Sequence, residues 1–118
     1  MPGHDVQIKR VYEPSGDADG VRVLIDRIWP RGLTKEAAKV DIWLKAIAPT
    51  PQLRKWFGHD PARWTQFNSR YRTELDDNVA EVDRLRALIS SGSVTLLYAA
   101  RNTTLNNAVV LRDYLHGE

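Results

Sequence analysis

The chain has 118 residues, which fits one domain, and its composition (42% hydrophobic and 27% charged residues) is typical of a soluble globular protein. It contains no cysteine, which excludes disulfides, thiolate catalysis and cysteine-ligated metal sites. The net charge of +2 is too small for a nucleic-acid binder that relies on counterion release alone.

The charges are unevenly distributed along the chain. Residues 1–70 contain twelve Lys and Arg against eight Asp and Glu, whereas residues 71–118 contain five against seven. A cationic first part favours an anionic partner, and an unevenly charged, solvated surface explains the same pattern equally well.

Membrane association is not expected. No apolar run in the sequence approaches the ~20 residues that a helix needs to span a bilayer. The first residues, MPGHDVQIKR, lack the apolar segment of a signal peptide. We therefore expect a cytoplasmic protein without a membrane partner.

Three segments are predicted to be strands. Residues 7–12 mix β-branched and aromatic residues with cations, and residues 21–26 follow a turn-rich loop over 14–20. Residues 94–99 are almost continuously apolar, which is typical of a strand that is buried on both faces of a parallel sheet.

Helical signals fill the interval between the second and third strands. Thr34 can cap a short helix over residues 35–39, and Thr50 with Pro51 begins a helix over 51–57 that Gly58 ends. A longer helical segment is predicted to start at Asp60 and Pro61 and to end at Gly92.

The weak helix formers Asp76-Asp77-Asn78 predict a kink or break inside that longer segment. A closing amphipathic helix is predicted over residues 105–116. Strands joined by such helical crossovers predict an α/β domain over residues 1–118, with a small, mainly parallel sheet of about three strands packed with several helices.

Ligands in parallel sheets bind outside the carboxyl ends of the strands. The second strand leads into residues 26–31 and the third into residues 100–104, and both segments carry arginine. We expect the two strand ends to be adjacent, or one strand apart, and to share a site.

This shared site is predicted to bind an anionic, phosphate-bearing small molecule, because the arginine fork matches phosphate and the last helix offers free N–H groups. The candidate binding residues are Arg27, Trp29, Arg31, Arg101 and Asn102. The alternative, which stays open, is an internal charge network in which Asp26 neutralises an arginine and ties the loop down.

The loop after the second strand is predicted to be rigid. Pro30 restricts Trp29 to extended backbone, Gly32 can adopt positive φ, and Thr34 caps the next helix.

Four tryptophans lie among cations between the second strand and the long helical segment: Trp29, Trp43, Trp56 and Trp64. Such residues can stack bases and hold phosphates, so a nucleic-acid-binding accessory or regulatory protein is the alternative function. Against it stands the lack of any recognisable nucleic-acid-binding motif. We favour a core role for Trp43 and Trp64, and leave Trp29 and Trp56 open.

Signals for catalysis are few, and whether the chain is an enzyme is left open. His59 and Asp26 are candidate proton-transfer groups if the chain hydrolyses or transfers a group on a bound anion. A structural role explains His59 better, because Asp60 beside it fits a helix cap before Pro61. With no HExxH spacing, no GxSxG and no glycine-rich phosphate loop, we expect no metal ion and no cofactor.

Several stretches together resemble the DUF488 family, in particular its short YeaO-like branch, over roughly residues 8–115. They are DRIWPRGLTKE, DIWLKAIAPT, LRKWFGHDP, and TLLYAARN with NNAVVL. The resemblance implies a single α/β domain. Other DUF488 members carry a Cys-His-Arg segment after the third strand, where this chain reads RNTTLNNAVV, so no metal or thiol chemistry carries over.

Overall fold

A four-stranded parallel sheet forms the centre of the protein, for which a computed structural model describes residues 6–117. The strands are β1 (Val6–Arg10), β2 (Val21–Leu24), β3 (Ile42–Trp43) and β4 (Val94–Tyr98), in the order β1-β4-β2-β3. The predicted α/β fold with a parallel sheet is confirmed. The predicted domain limits also include residues 1–5 and 118, which lie outside the described residues.

The sheet has one strand more than the sequence predicted. In β3, Ile42 lies opposite Val23 and Trp43 lies opposite Leu24 of β2. A strand of two residues shows no alternation of apolar and polar side chains. For that reason, the segment was predicted only as part of a helical connection.

The middle of the sheet is β4, which pairs in parallel with β1 and β2. Its first residue, Val94, lies opposite Val6 of one neighbour and Val21 of the other. All five of its residues are buried, as the apolar run predicted. The carboxyl ends of β2 and β4 are therefore adjacent, and the prediction that the two strand ends share one edge is confirmed.

In the part of the chain that the structure describes, five α-helices surround the sheet. They are α1 (Lys35–Ala38), α2 (Pro51–Phe57), α3 (Trp64–Asp77), α4 (Val79–Ser91) and α5 (Asn107–Leu115). Within residues 6–117, no helix has the length and apolar character needed to cross a membrane.

Local capping explains where the helices begin and end. The Thr34 hydroxyl accepts a hydrogen bond from Ala37 N (3.1 Å), and the Thr50 hydroxyl accepts one from Leu53 N (3.2 Å). Gly58 ends α2 in the left-handed conformation, with φ 54°. These caps reproduce the predicted starts and the predicted end of α2.

The break predicted in the long helical segment lies at Asn78, between α3 and α4. The Asn78 side chain donates a hydrogen bond to Ala46 O (2.8 Å). The closing helix begins at Asn107, two residues later than predicted, because Asn106 is the cap and accepts a hydrogen bond from Val109 N (3.0 Å).

Two apolar clusters cover the two faces of the sheet. The larger cluster joins buried strand residues such as Val23 and Leu96 to helix residues such as Tyr71. The smaller cluster includes Leu24 and Leu97, which point to the opposite face because side chains alternate along a strand. Both faces are therefore closed, and the carboxyl edge of the sheet remains open to solvent.

Candidate functional site

A cleft of about 730 Å³ opens at the carboxyl ends of β2 and β4. Its walls are the segment after β2, the segment after β4, and parts of α2, α3 and α5. All the site residues predicted from the sequence line it: Asp26, Arg27, Trp29, Arg31, His59, Arg101 and Asn102. The structure thus brings the predicted residues together in one cleft.

Asp26 connects three elements at the floor of the cleft. Its Oδ2 accepts a hydrogen bond from Ala99 N and its Oδ1 accepts one from Asn107 Nδ2, both at 3.0 Å. Its main-chain oxygen accepts a hydrogen bond from Trp43 Nε1 (2.7 Å). Burial raises the pKa of the Asp26 carboxyl above its ordinary value, and the two side-chain hydrogen bonds partly oppose that shift.

Asp26 does not form the ion pair with an arginine that the alternative charge network requires. Among residues 6–117, the ion pairs join Lys9 and Arg22 to Asp19, Arg63 to Asp60, and Arg112 to Asp113. Arg54 and His59 attract the Asp26 carboxylate from a longer distance, which opposes the effect of burial on its pKa.

Arg27 is the most enclosed of the cleft arginines. Its Nη2 donates a hydrogen bond to Ala48 O (3.2 Å), while its buried Nε has no acceptor among the described residues. Leaving a buried donor unpaired costs ~1–3 kcal/mol, so this N–H is a group that a ligand oxygen or an ordered water would stabilise.

The other cleft arginines are exposed at its rim. Arg31 and Arg101 come from the two strand exits, and Arg54 comes from α2. Within residues 6–117, none of their guanidinium groups forms a hydrogen bond or an ion pair. Three positively charged guanidinium groups thus lie at the opening of the cleft without such a partner among the described residues.

The loop that carries Trp29 and Arg31 is held at several points. Trp29 Nε1 donates a hydrogen bond to Leu33 O (2.7 Å), and its ring packs edge-to-face on Trp43 at 5.3 Å. The Tyr12 hydroxyl donates a hydrogen bond to Arg31 O (2.8 Å). Gly32 has φ 81°, which provides the reversal expected from the sequence. These contacts are those of a fixed loop.

His59 is exposed and lies just after α2, with φ 58°. Its ring lies 6.1 Å from that of Phe57, and no hydrogen bond joins it to Asp26 within the described part of the chain. Asp60 caps the following turn by accepting a hydrogen bond from Ala62 N (2.9 Å), as predicted. The two proton-transfer candidates are therefore not hydrogen-bonded to each other, and His59 acts on the Asp26 carboxyl only through electrostatic attraction.

Asn102 organises the loop before α5. Its side-chain oxygen accepts hydrogen bonds from Thr104 N (2.9 Å), Thr104 Oγ1 (3.0 Å) and Leu105 N (2.9 Å). Its main-chain oxygen accepts one from Asn106 Nδ2 (2.9 Å). The Asn102 side chain lines the cleft, yet its oxygen is already used in shaping the loop.

Three lining residues of interest were not predicted: Tyr12, Arg54 and Asn107. The Asn107 side-chain amide donates a hydrogen bond to Asp26. The Asn-Asn pair at the start of the predicted amphipathic helix is the sequence feature that could have indicated it. Arg54 stood out only as one cation among the tryptophans.

All four tryptophans are partly buried and pack against the two apolar clusters, so the core role expected of Trp43 and Trp64 is shared by Trp29 and Trp56, which were left open. Trp64 packs beside Phe57 and Phe67, and Lys45 lies 4.2 Å above the ring of Trp43. Trp56 lies outside the cleft. Two arginines flank its ring, Arg63 at 5.4 Å and Arg70 at 4.3 Å.

Comparisons with known proteins place the chain in a family. Residues 5–118 match the family model described as the inactive DUF488-N3 subclade. The uncharacterized protein YeaO of Escherichia coli K12 is 42% identical over 111 residues, which cover 94% of this chain and 96% of that protein. The uncharacterized protein Rv3073c of Mycobacterium tuberculosis H37Rv is 44% identical over 112 residues, covering 95% and 94%. No solved structure matches. The chain therefore belongs to the DUF488 family, within its inactive N3 subclade.

Proposed function

We propose that this protein binds a small phosphate-bearing anion in the cleft at the carboxyl ends of β2 and β4. The observation that carries the proposal is the convergence of Arg27, Arg31, Arg54 and Arg101 on one cleft. Arginine pairs with phosphate through a planar set of donors. Four such groups from three segments place more positive charge in the cleft than is needed to hold the loop after β2 in place.

The state of these arginines supports the proposal. Arginines that only stabilise a fold usually pair with carboxylates or carbonyls, as Arg22 does with Asp19 and with the main-chain oxygens of Ala38 and Lys39. The exposed guanidinium groups of the cleft have no such partners within residues 6–117. The volume of about 730 Å³ lies within the ~300–1,000 Å³ typical of small-molecule sites.

Binding without turnover is the form of the proposal that the observations favour. A hydrolase or transferase would use His59 or Asp26 for proton transfer, and no hydrogen bond connects these two groups among the described residues. The matching subclade is described as inactive. Both observations favour a binding domain over an enzyme.

One observation favours nucleic acid as a second candidate ligand. Trp56, with Arg63 and Arg70 over its ring, is an aromatic side chain flanked by cations on the surface of α2 and α3. A salt titration separates the two functions, because nucleic-acid affinity falls by orders of magnitude between low and physiological salt. An anion enclosed in the cleft should respond far less.

The test is thermal unfolding of the wild type and Arg31→Ala, each with and without pyrophosphate. We expect pyrophosphate to stabilise the wild type, by ~2.7 kcal/mol at a concentration one hundred times the dissociation constant. Arg31→Ala should fold with nearly unchanged stability and lose most of the ligand-dependent stabilisation.

Arg84→Ala is the matched control, because Arg84 is exposed on α4 and does not line the cleft. It changes the net charge equally and should keep the full response to pyrophosphate. A wild type that pyrophosphate does not stabilise, together with an Arg31→Ala variant that is less stable without ligand, contradicts the proposal and supports a structural role for the loop.

A further inference from the structure

We infer that Asp26 sets the specificity of the cleft. The ligand is a phosphorylated compound that also carries a hydroxyl or amino group, and this group donates a hydrogen bond to the Asp26 carboxylate. The inference rests on the proposed function, because the cleft arginines would hold the phosphate. It adds a second required group to the ligand and names the residue that recognises it.

The charges around the cleft favour such a ligand. Four guanidinium groups and the Asp26 carboxyl line the same space, and within residues 6–117 the carboxyl forms no ion pair with any of them. An ionised Asp26 repels a simple anion held by the arginines. A ligand that turns a hydroxyl or amino group towards Asp26 offsets that repulsion with a charge-assisted hydrogen bond.

The hydrogen bonds at Asp26 leave it short of donors. A carboxylate has about four acceptor sites, and the Asp26 side chain receives hydrogen bonds from Ala99 N and Asn107 Nδ2. Burial raises the pKa of this carboxyl despite both bonds and despite electrostatic attraction to Arg54 and His59, as expected for an enclosed ionised group with too few donors. A donor on the ligand would supply one more.

The same two bonds fix the direction of the carboxyl. Ala99 follows β4 and Asn107 begins α5, so Asp26 is held by two elements other than its own. An acceptor that needs no reorganisation loses little free energy on binding. A site built around such an acceptor rejects ligands that lack the matching donor, because the buried acceptor is then left unpaired.

The experiment compares the affinities of inorganic phosphate and ribose 5-phosphate by isothermal titration calorimetry. The wild type should bind ribose 5-phosphate about ten-fold more tightly or better, since hydrogen bonds to charged groups contribute at least that factor. Asp26→Asn replaces one acceptor oxygen with a donor. It should reduce the ratio of the two affinities to within about three-fold, by weakening ribose 5-phosphate and by strengthening phosphate.

Asp17→Asn is the matched control, because Asp17 is exposed and does not line the cleft. It makes the same substitution away from the site, so the preference for ribose 5-phosphate should persist. Equal loss of the preference in both variants would show that the loss does not come from the carboxylate in the cleft, and would overturn the role of Asp26. Far-ultraviolet circular dichroism of each variant establishes that it is folded.

The other outcomes separate the two proposals. A wild type that binds phosphate and ribose 5-phosphate equally well overturns the inference about Asp26 and leaves anion binding intact. A preference that Asp26→Asn retains also overturns it. A wild type that binds neither compound overturns the proposed function itself.

Nucleotides and sugar phosphates both carry a phosphate and hydroxyl groups. A third ligand, adenosine 5′-monophosphate, distinguishes these two classes of compound. The exposed side chains of Tyr12 and Ile28 line the cleft and offer an apolar surface to a base. Tighter binding of the nucleotide than of ribose 5-phosphate supports the inference with a nucleotide as ligand. Weaker binding, with the Asp26-dependent preference retained, supports it with a sugar phosphate.

Discussion

Asp19 and Asp26 are two partly or fully enclosed carboxyl groups whose surroundings differ. Asp19 Oδ1 accepts a hydrogen bond from Lys9 Nζ (2.8 Å), and its Oδ2 accepts hydrogen bonds from Arg22 Nη1 (2.6 Å) and Gly16 N (3.0 Å). The hydrogen bond from Lys9 is the largest cause that lowers the pKa of Asp19, to about 2. Asp26 has no cation bonded to it, and burial raises its pKa. The first arrangement stabilises the fold, and under our proposal the second serves to recognise a ligand.

Asp19 should make the stability of the protein depend on pH in the acid range. Because its pKa in the folded state lies below the ordinary value of 3.8, its contribution is present above that pH and is lost as the pH falls towards about 2. Asp19→Asn should be less stable at pH 7 by ~3–5 kcal/mol, since it leaves Arg22 buried without its carboxylate.

Urea unfolding of the wild type and Asp19→Asn, measured between pH 7 and pH 2, tests this prediction. The difference in unfolding free energy should shrink as the pH falls through that window. Asp17→Asn is the control, because Asp17 is exposed in the same turn. A difference that stays constant with pH would show that the loss in Asp19→Asn does not come from charge.

Among the elements, the turn before β2 makes the closest backbone approach. Gly20 has φ 65°, and a Cβ built there would lie 2.1 Å from Ser93 O, the oxygen that accepts a hydrogen bond from Val21 N. This contact aligns the starts of β2 and β4, and thereby their carboxyl ends. The position of the cleft depends on it.

Gly20→Ala should therefore destabilise the protein by ~2–5 kcal/mol, because positive φ is strained for alanine and the backbone contact must open. Gly16→Ala is the matched control in the same turn. Gly16 has φ −134°, and its nearest contact for a new Cβ is 3.8 Å away, so it should be nearly neutral. Denaturant unfolding of both variants measures the effect. Equal stabilities for the two variants would contradict the assigned approach of Gly20 to β4.

Elements with strong local signals were predictable from the sequence. Thr50, Pro51 and Gly58 determine α2 within their own segment, and the buried β4 follows from its apolar run. β3 was not predictable, because its two residues depend on pairing with β2. The start of α5 was predicted too early, because the turn at Asn102 occupies the residues before the cap at Asn106.

The candidate site was predictable where it follows a rule of parallel sheets. The strand exits bring Arg27, Arg31 and Arg101 to one cleft, and the order of β2 and β4 accounts for that. Arg54 and Asn107 reach the same cleft only through the packing of α2 and α5. No local pattern distinguishes them from other surface residues of those helices.

For the molecule as a whole, ionic stabilisation and the candidate site occupy different places. Asp19 and Arg22 lie at the amino-terminal end of β2, where their ion pair is buried. The cleft lies at the other end of that strand, where Asp26 begins the exit loop. Because the two sets share no side chains, variants at the rim of the cleft should alter binding with little change in stability.

A two-dimensional ¹H–¹⁵N NMR titration of the labelled protein with pyrophosphate tests anion binding in the cleft most directly. We predict that the largest shift changes fall on the Nε–H signals of Arg27, Arg31, Arg54 and Arg101 and on the backbone amides of residues 26–31 and 99–102. Signals from Trp56, Arg63 and Arg70 should change little, because they lie outside the cleft. Changes concentrated at those three residues, or no saturable change at all, would contradict the account.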